Sequence, residues 1–396
     1  MHHRGPLFFF LLAAAGSACA ATIRVPRDQP AIQAAIDAAQ NGDTVLVAPG
    51  TYKESLKLAG KNITLGSHFL TSNDPRHIDE TVLDVSGPGN ERGASILVVE
   101  RGVGPETKIV GFTFRGASHA VNIRGKAQVL HNRFTANGDA LSFEGGSGIV
   151  RFNIFERNGD DGVDMDQASA ALIEHNIIRD NRDDGIEVRL HKYAGPPLEI
   201  VIRGNVISGN GEDGLQLIDY PDKSDRMFRV ERNLFVRNAM AGIACMKDGN
   251  TRENYAGAEL VERVYVINNT IVGGEYGVTG GDNMVLLNNV ITEVAKTAVK
   301  RVQGDSAAGK NLQWKNGRSF EDCDLHEEEF VSADPALDAS FQPRAGGVCL
   351  DRGVAKFEFN GEVLTLASDT FSGSAPDLGA FEAGQPPPGF VRPPAK

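Results

Sequence analysis

Apolar residues recur in alternate pairs through the middle of the chain: Val121 and Ile123, Leu141 and Phe143, Val163 and Met165, Ile186 and Val188, Leu215 and Leu217, Ile243 and Cys245. A period of two marks a strand with one buried face, so each pair predicts a short strand turned toward a common apolar stack, with Cys245 in the core. Upstream of these strands, apolar stretches end in asparagine at Asn132, Asn153, Asn176, Asn205, Asn233, Asn269 and Asn289. The intervals are 21, 23, 29, 28, 36 and 20 residues. A near-constant minimum with variable additions predicts a solenoid whose coils carry insertions in their loops. After each Asn comes an apolar pair such as Ile177-Ile178 or Val206-Ile207, then a polar turn, then the alternating strand. Each coil thus has three short strands, and the chain is predicted to be all-β: a single-stranded parallel β-helix with an Asn ladder satisfying the backbone at one bend.

Both ends fit that architecture. "VPRDQPAIQAAIDAAQNGDTVLVAPGTY" places Pro30 at a helix start, Ile32 and Ile36 on one face and Asn41-Gly42 at the stop, which predicts a short amphipathic helix capping the first coil. With the repeat, this cap and "APDLGAFEAG" (Ala375 to Gly384), the chain resembles the right-handed parallel β-helix proteins of the pectin-lyase-like superfamily from about Thr22 to Glu382. The resemblance implies that the helix is the family's lid and that Ala375 to Gly384 is a closing strand.

Residues 1–20 are predicted to be a secretory signal peptide: His2, His3 and Arg4 precede an apolar run from Leu7 to Ala15, and Ala18-Cys19-Ala20 supplies the cleavage signal. A lipid anchor on Cys19 is the weaker reading, because Gly16 stands where an aliphatic residue is usual. The β-helix domain is then 21–384, with its N-terminal cap over about 22–60, and 385–396 is a Pro-rich tail of disordered composition. The expected product is a secreted or periplasmic monomer with no membrane span. A formal net charge of -12 disfavours nucleic acid as a partner. Export permits a disulfide between Cys323 and Cys349, and the cysteine spacing fits no metal motif.

Charge matters most on the outward positions of the alternating strand. The phrases "NGDDGVDMD" (from Asn158), "NRDDGIEVR" (from Asn181) and "NGEDGLQLI" (from Asn210) stack their acids in columns. One column reads Asn122, Ser142, Asp164, Glu187, Gln216; the next reads Arg124, Glu144, Asp166, Arg189, Ile218; the turn before the strand carries Asp139, Asp161, Asp184 and Asp213. Neighbouring coils lie about 4.8 Å apart, where two like charges repel by roughly 3 to 4 kcal/mol at an effective dielectric near 20. A cation, a shared proton, an arginine or splaying into solvent relieves this. Asp before Gly is also ordinary turn chemistry, which suits the turn aspartates taken singly. Asp164, Asp166 and Glu187 lie inside strands, where no turn requires them.

Three long insertions follow the acidic strands, in His191 to Pro197, Asp219 to Arg226 and Lys247 to Glu259, and carry Tyr193, Tyr220 and Tyr255 with Lys192, Lys223, Arg226, Lys247 and Arg252. Aromatic faces and basic side chains beside carboxylates suit an anionic polysaccharide. The reading is a carbohydrate-active protein, first a lyase or epimerase of a uronic-acid polymer assisted by Ca²⁺. Asp161, Asp164, Asp184 and Glu187 would hold the metal. Arg189, Lys192 and His191 would be catalytic, and Asp166, Tyr193, Tyr220 and Tyr255 would bind substrate. "EVRLHK" resembles the Ca²⁺-dependent lyases of the alginate and chondroitin type, whereas "DDGVDMD" followed by "DDGIEV" resembles the aspartate-bearing strands of polygalacturonases. A paired-carboxylate glycoside hydrolase is therefore the second reading, and a non-catalytic polysaccharide-binding or structural β-helix the third.

Overall fold

A computed structural model describes residues 20–87, 95–222, 224–253, 255 and 259–385. The signal-peptide segment, apart from Ala20, and the tail from 386 lie outside the described residues, as does Lys223. Three all-parallel sheets run the length of the molecule. The first has twelve strands, from Thr22–Val25 to Ala307–Gly309; the second has eleven, from Leu56–Leu58 to Arg318–Glu321; the third has twelve, from Gly50–Tyr52 to Phe330–Ser332. A typical coil passes from first to third to second sheet, as in Lys126–Leu130, Arg133–Thr135 and Asp139–Glu144. This is the predicted parallel β-helix. Among the described residues no helix is long and apolar enough to cross a membrane.

The alternating pairs point inward as expected. Leu141, Val163, Ile186, Leu215 and Ile243 are in register and fully buried, and Cys245 stacks on Leu217 in the same core. Facing them, Phe114, Phe134 and Phe155 stack with centroids 5.0 and 4.7 Å apart. The Asn ladder runs from Asn132 to Asn311. In its middle, Asn205 Oδ1 accepts the Asn176 backbone N–H at 2.9 Å and the Asn176 Nδ2 at 3.0 Å, while Asn205 Nδ2 donates to Ile173 O at 2.9 Å. The residue before each ladder Asn has a left-handed backbone (His131, Phe152, His175, Gly204, Arg232), which turns the chain from first to third sheet. That conformation costs of order 1 kcal/mol or more for a non-glycine residue, and the doubly used amide offsets it.

A second ladder, which the sequence reading took only as the start of an acidic phrase, lines the next bend. Asn137, Asn158, Asn181, Asn210 and Asn238 link in the same way, for example Asn158 Nδ2 to Asn181 Oδ1 at 2.8 Å.

The capping helix is Ile32–Ala38, with Ile32, Ala35 and Ile36 buried on the first coil. Glu54 accepts the backbone N–H of Ile32 and Gln33, both at 3.0 Å, and Lys61 Nζ donates to the carbonyls of Ile36, Asp37 and Ala39. These opposite charges complement the helix ends, so it stops before Asn41-Gly42. The C-terminal expectation needs correcting. Ala375 to Gly384 is not a strand; its buried part crosses the coils, with Asn268 Nδ2 donating to Asp377 O, Gly379 N to Asn288 O and Arg232 pairing with Glu382. No disulfide forms either: Cys323 and Cys349 are free thiols, donating to Val299 O and Pro335 O.

Candidate cation and substrate site on the second sheet

Register places the outward acids as the columns require. Ser142 pairs with Asp164, Asp164 with Glu187, Glu187 with Gln216, Glu144 with Asp166 and Arg189 with Ile218. The turn aspartates form a third ladder. Asp161 Oδ1 accepts the Asp184 backbone N–H at 2.8 Å, Asp184 Oδ1 that of Asp213 at 2.6 Å, and Asp213 Oδ1 that of Ala241 at 2.7 Å. An aspartate accepts like an asparagine but has no amide to donate onward, so each rung sets an ionisable carboxyl group inside the wall.

Ligand atoms of Asp161, Asp164 and Glu187 come within 4.8 Å of one another, and so do those of Asp139, Asp160 and Asp161. Asp184 departs from the expected set. It groups with Glu212 and Glu253, because its ladder bond draws it toward the following coil. Asp161 and Asp184 are carried well above the usual carboxylate range, first by burial and then by neighbouring carboxylates. Burial, then Asp166, Asp139 and Glu187, push Asp164 up to about 9. Asp164 is 7% exposed and its Oδ1 has no hydrogen-bond partner. A buried, orphaned carboxylate oxygen beside two further carboxylates fits a hard cation such as Ca²⁺. Glu187, also raised by burial, keeps one strong partner in Arg189, whose Nε donates to Glu187 Oε1 at 2.8 Å and lies 3.9 Å from Asp166 Oδ1. Burial lowers the Arg189 pKa, but Glu187, Asp166 and Asp164 outweigh it and hold the guanidinium charged.

The remaining predicted residues divide. His191 joins the site: its Nδ1 lies 3.2 Å from the Gln167 backbone N and 3.5 Å from Asp166 Oδ1, and its ring centroid is 4.6 Å from that of Tyr220. Lys192 sits on the rim, 3.1 Å from Asp222. Tyr193 begins an extended strand, Tyr193–Arg203, where a loop was expected; its hydroxyl donates to Pro196 O and Arg226 lies over its ring. Tyr255 is corrected outright: it is buried and its hydroxyl donates to Asp213 Oδ1 at 2.7 Å, giving a fully buried carboxylate a partner instead of meeting substrate.

Sequence reasoning missed Asp139, Asp160, Glu212 and Glu253 as cluster members. Asp160 was visible as the first acid of the same "DD" pair. Glu253 was not, because it comes from an insertion whose path the repeat does not set. His119 contacts Asp139 Oδ2 at 2.8 Å, which raises its pKa.

Residues 95–291 match the family model described as "Right handed beta helix region". With three parallel sheets wound coil upon coil, the chain has the fold of a right-handed parallel β-helix. Among solved structures it is similar to pectate lyase Pel9A, at 19% identity over 88% of this chain and 90% of that one, with a TM-score of 0.57. It is also similar to the catalytic unit of a thermostable GH87 alpha-1,3-glucanase from Streptomyces thermodiastaticus strain HF3-3, at 16% identity over 82% and 69%, with a TM-score of 0.54. At these identities the likeness is one of fold. Comparison with curated protein sequences found no match.

Proposed function

We propose that this chain is an exported polysaccharide lyase or epimerase acting on a uronic-acid polymer, with Asp161, Asp164 and Glu187 holding Ca²⁺. The observation that carries the reading is the orphaned Asp164 Oδ1 inside a carboxylate cluster that also has Arg189 and His191 at its edge. A bound cation would neutralise the sugar carboxylate and so make the proton α to it removable. Around it the protein's own groups take separate roles. Arg189 is held charged by three carboxylates, which suits it to stabilise developing negative charge and not to remove a proton. Proton transfer falls to His191. Exchanging its Gln167 partner for Asp166 turns Nε2 into a base backed by a carboxylate. Tyr220 flanks His191 and offers a ring face to the sugar, and Lys192 reaches the rim.

The hydrolase reading draws on one feature, the Asp164 carboxyl pushed up to about 9 beside Glu187, an arrangement that separates an acid from an ionised partner. The two are told apart by supplying uronate polymers with and without EDTA. A lyase yields an unsaturated, ultraviolet-absorbing uronate, an epimerase inverts C5 without new ends, and both lose activity with the chelator. New reducing ends without unsaturation, insensitive to EDTA, would replace this reading with the hydrolase.

A further inference from the structure

We propose a second, wholly basic subsite for an acidic sugar unit, formed by Arg101, Arg124 and Lys126 at the corner between second and first sheets. It rests on the reading above for the nature of the polymer. In a chain of net charge -12, this cavity of about 360 Å³ is lined by three basic side chains and by no acid. The nearby carboxylates have other partners, and of them only Glu100 also reaches a subsite cation. Glu100 pairs with Lys57 at 3.0 Å and lies 4.0 Å from Arg124, Glu144 accepts from Gln167 Nε2 at 2.9 Å, and Glu106 lies 3.5 Å from Asn62 Nδ2. Among the described residues Arg101 and Lys126 make no ion pair, and all three basic side chains are exposed. Three cations lining one concavity, of which only Arg124 has a carboxylate within reach, Glu100 at 4.0 Å, point to an anionic ligand.

The cavity is built, not incidental. Its wall is the loop from Glu100 to Thr107, pinned by the buried Val103, by Gly104 N donating to Asn62 Oδ1 at 2.6 Å, by Lys126 N to Val103 O at 2.9 Å and by Gln128 Nε2 to Pro105 O at 2.9 Å. Gly125 lets the floor approach the loop: a Cβ there would meet Glu100 O at 2.3 Å. Position gives the site its meaning. Arg124 follows Ile123, which pairs with Phe143, so it heads the outward column that continues through Glu144 and Asp166 to Arg189. Three coil spacings separate Arg124 from Arg189, roughly 14 Å along the corner. A polymer lying along that corner presents one carboxylate at Asp166, Arg189 and His191 and another, a few units away, to the basic cavity. The subsite therefore selects for length: an oligomer too short to span the coils gains nothing from it.

The test is calorimetric binding of trimers and octamers of galacturonate, mannuronate and guluronate to the wild type and to the Arg124→Ala/Lys126→Ala and Arg101→Glu variants, with circular dichroism to confirm folding. The expected result is an octamer that binds more tightly than its trimer, a loss of about tenfold or more in octamer affinity in both variants, a shallower salt dependence, and a change of less than about twofold for the trimer. Octamer affinity that survives both variants, or no binding by any octamer to the wild type, overturns the subsite. Failure of the lyase reading is separate: a wild type that turns over none of these polymers, yet loses octamer binding in the variants, keeps the subsite and discards the chemistry.

Discussion

Two ladders climb the same coils and do opposite things with charge. The Asn132 to Asn311 ladder accepts and donates at every rung, so a buried polar column stays neutral and satisfied. The Asp139 to Asp213 ladder supplies the same backbone acceptors, but as carboxylates with nothing to pass on. Asparagine would serve the backbone equally well there. The structure instead carries buried acid at a cost, and further acid, Asp164 and Glu187, on the strand that follows. The difference teaches where folding stops explaining the residues: one bend satisfies itself with neutral amides, and the other keeps carboxylates that the backbone does not require.

Breaking the neutral ladder should have the largest effect. Asn205→Ala strands the Asn176 backbone N–H and Ile173 O, and a loss of about 3 kcal/mol in urea unfolding is expected. Asp184→Asn, a change on the acidic ladder that keeps the backbone acceptor, should leave metal-free stability unchanged or raise it. Next in size is Arg189→Ala, expected to lower turnover of a uronate polymer about a hundredfold with a much smaller change in polymer affinity, since it acts on transition-state charge. Arg189→Lys should recover part of that loss.

Asp164→Asn addresses the cost directly. With a folded pKa of about 9 against an ordinary 3.8, Asp164 keeps its proton in the folded state while the unfolded chain releases it. Its contribution to stability is complete below pH 4 and falls away as pH rises toward 9. In EDTA the wild type should therefore lose stability across that interval, and Asp164→Asn should be more stable at pH 8 by on the order of 1 to 3 kcal/mol by thermal unfolding. Smallest is Lys192→Ala. Its amine is exposed and paired with Asp222, so a change of about threefold in KM and little in kcat is expected from steady-state kinetics.

The neutral half of the comparison was legible in the sequence. Period-two pairs set the inward face, and because register in a solenoid follows from the repeat, Asp164, Glu187 and Gln216 could be aligned before any coordinates. Side-chain direction was not legible. Nothing in "NRDDGIEVR" reveals that the ladder bond carries Asp184 toward Glu212, or that an insertion brings Tyr255 inward to Asp213. The second Asn ladder stands at the head of each acidic phrase, where an Asn is equally ordinary turn chemistry.

The central claim is that the acidic face exists to hold a cation. Calorimetric titration of Ca²⁺ into the wild type and Asp164→Asn at pH 7.5, repeated in buffers of different ionisation enthalpy, tests it most directly. The account predicts millimolar or tighter binding with proton release, because Asp164 must ionise to become a ligand, and a loss of both in the variant. No binding at millimolar Ca²⁺, or binding that Asp164→Asn leaves intact, would contradict it.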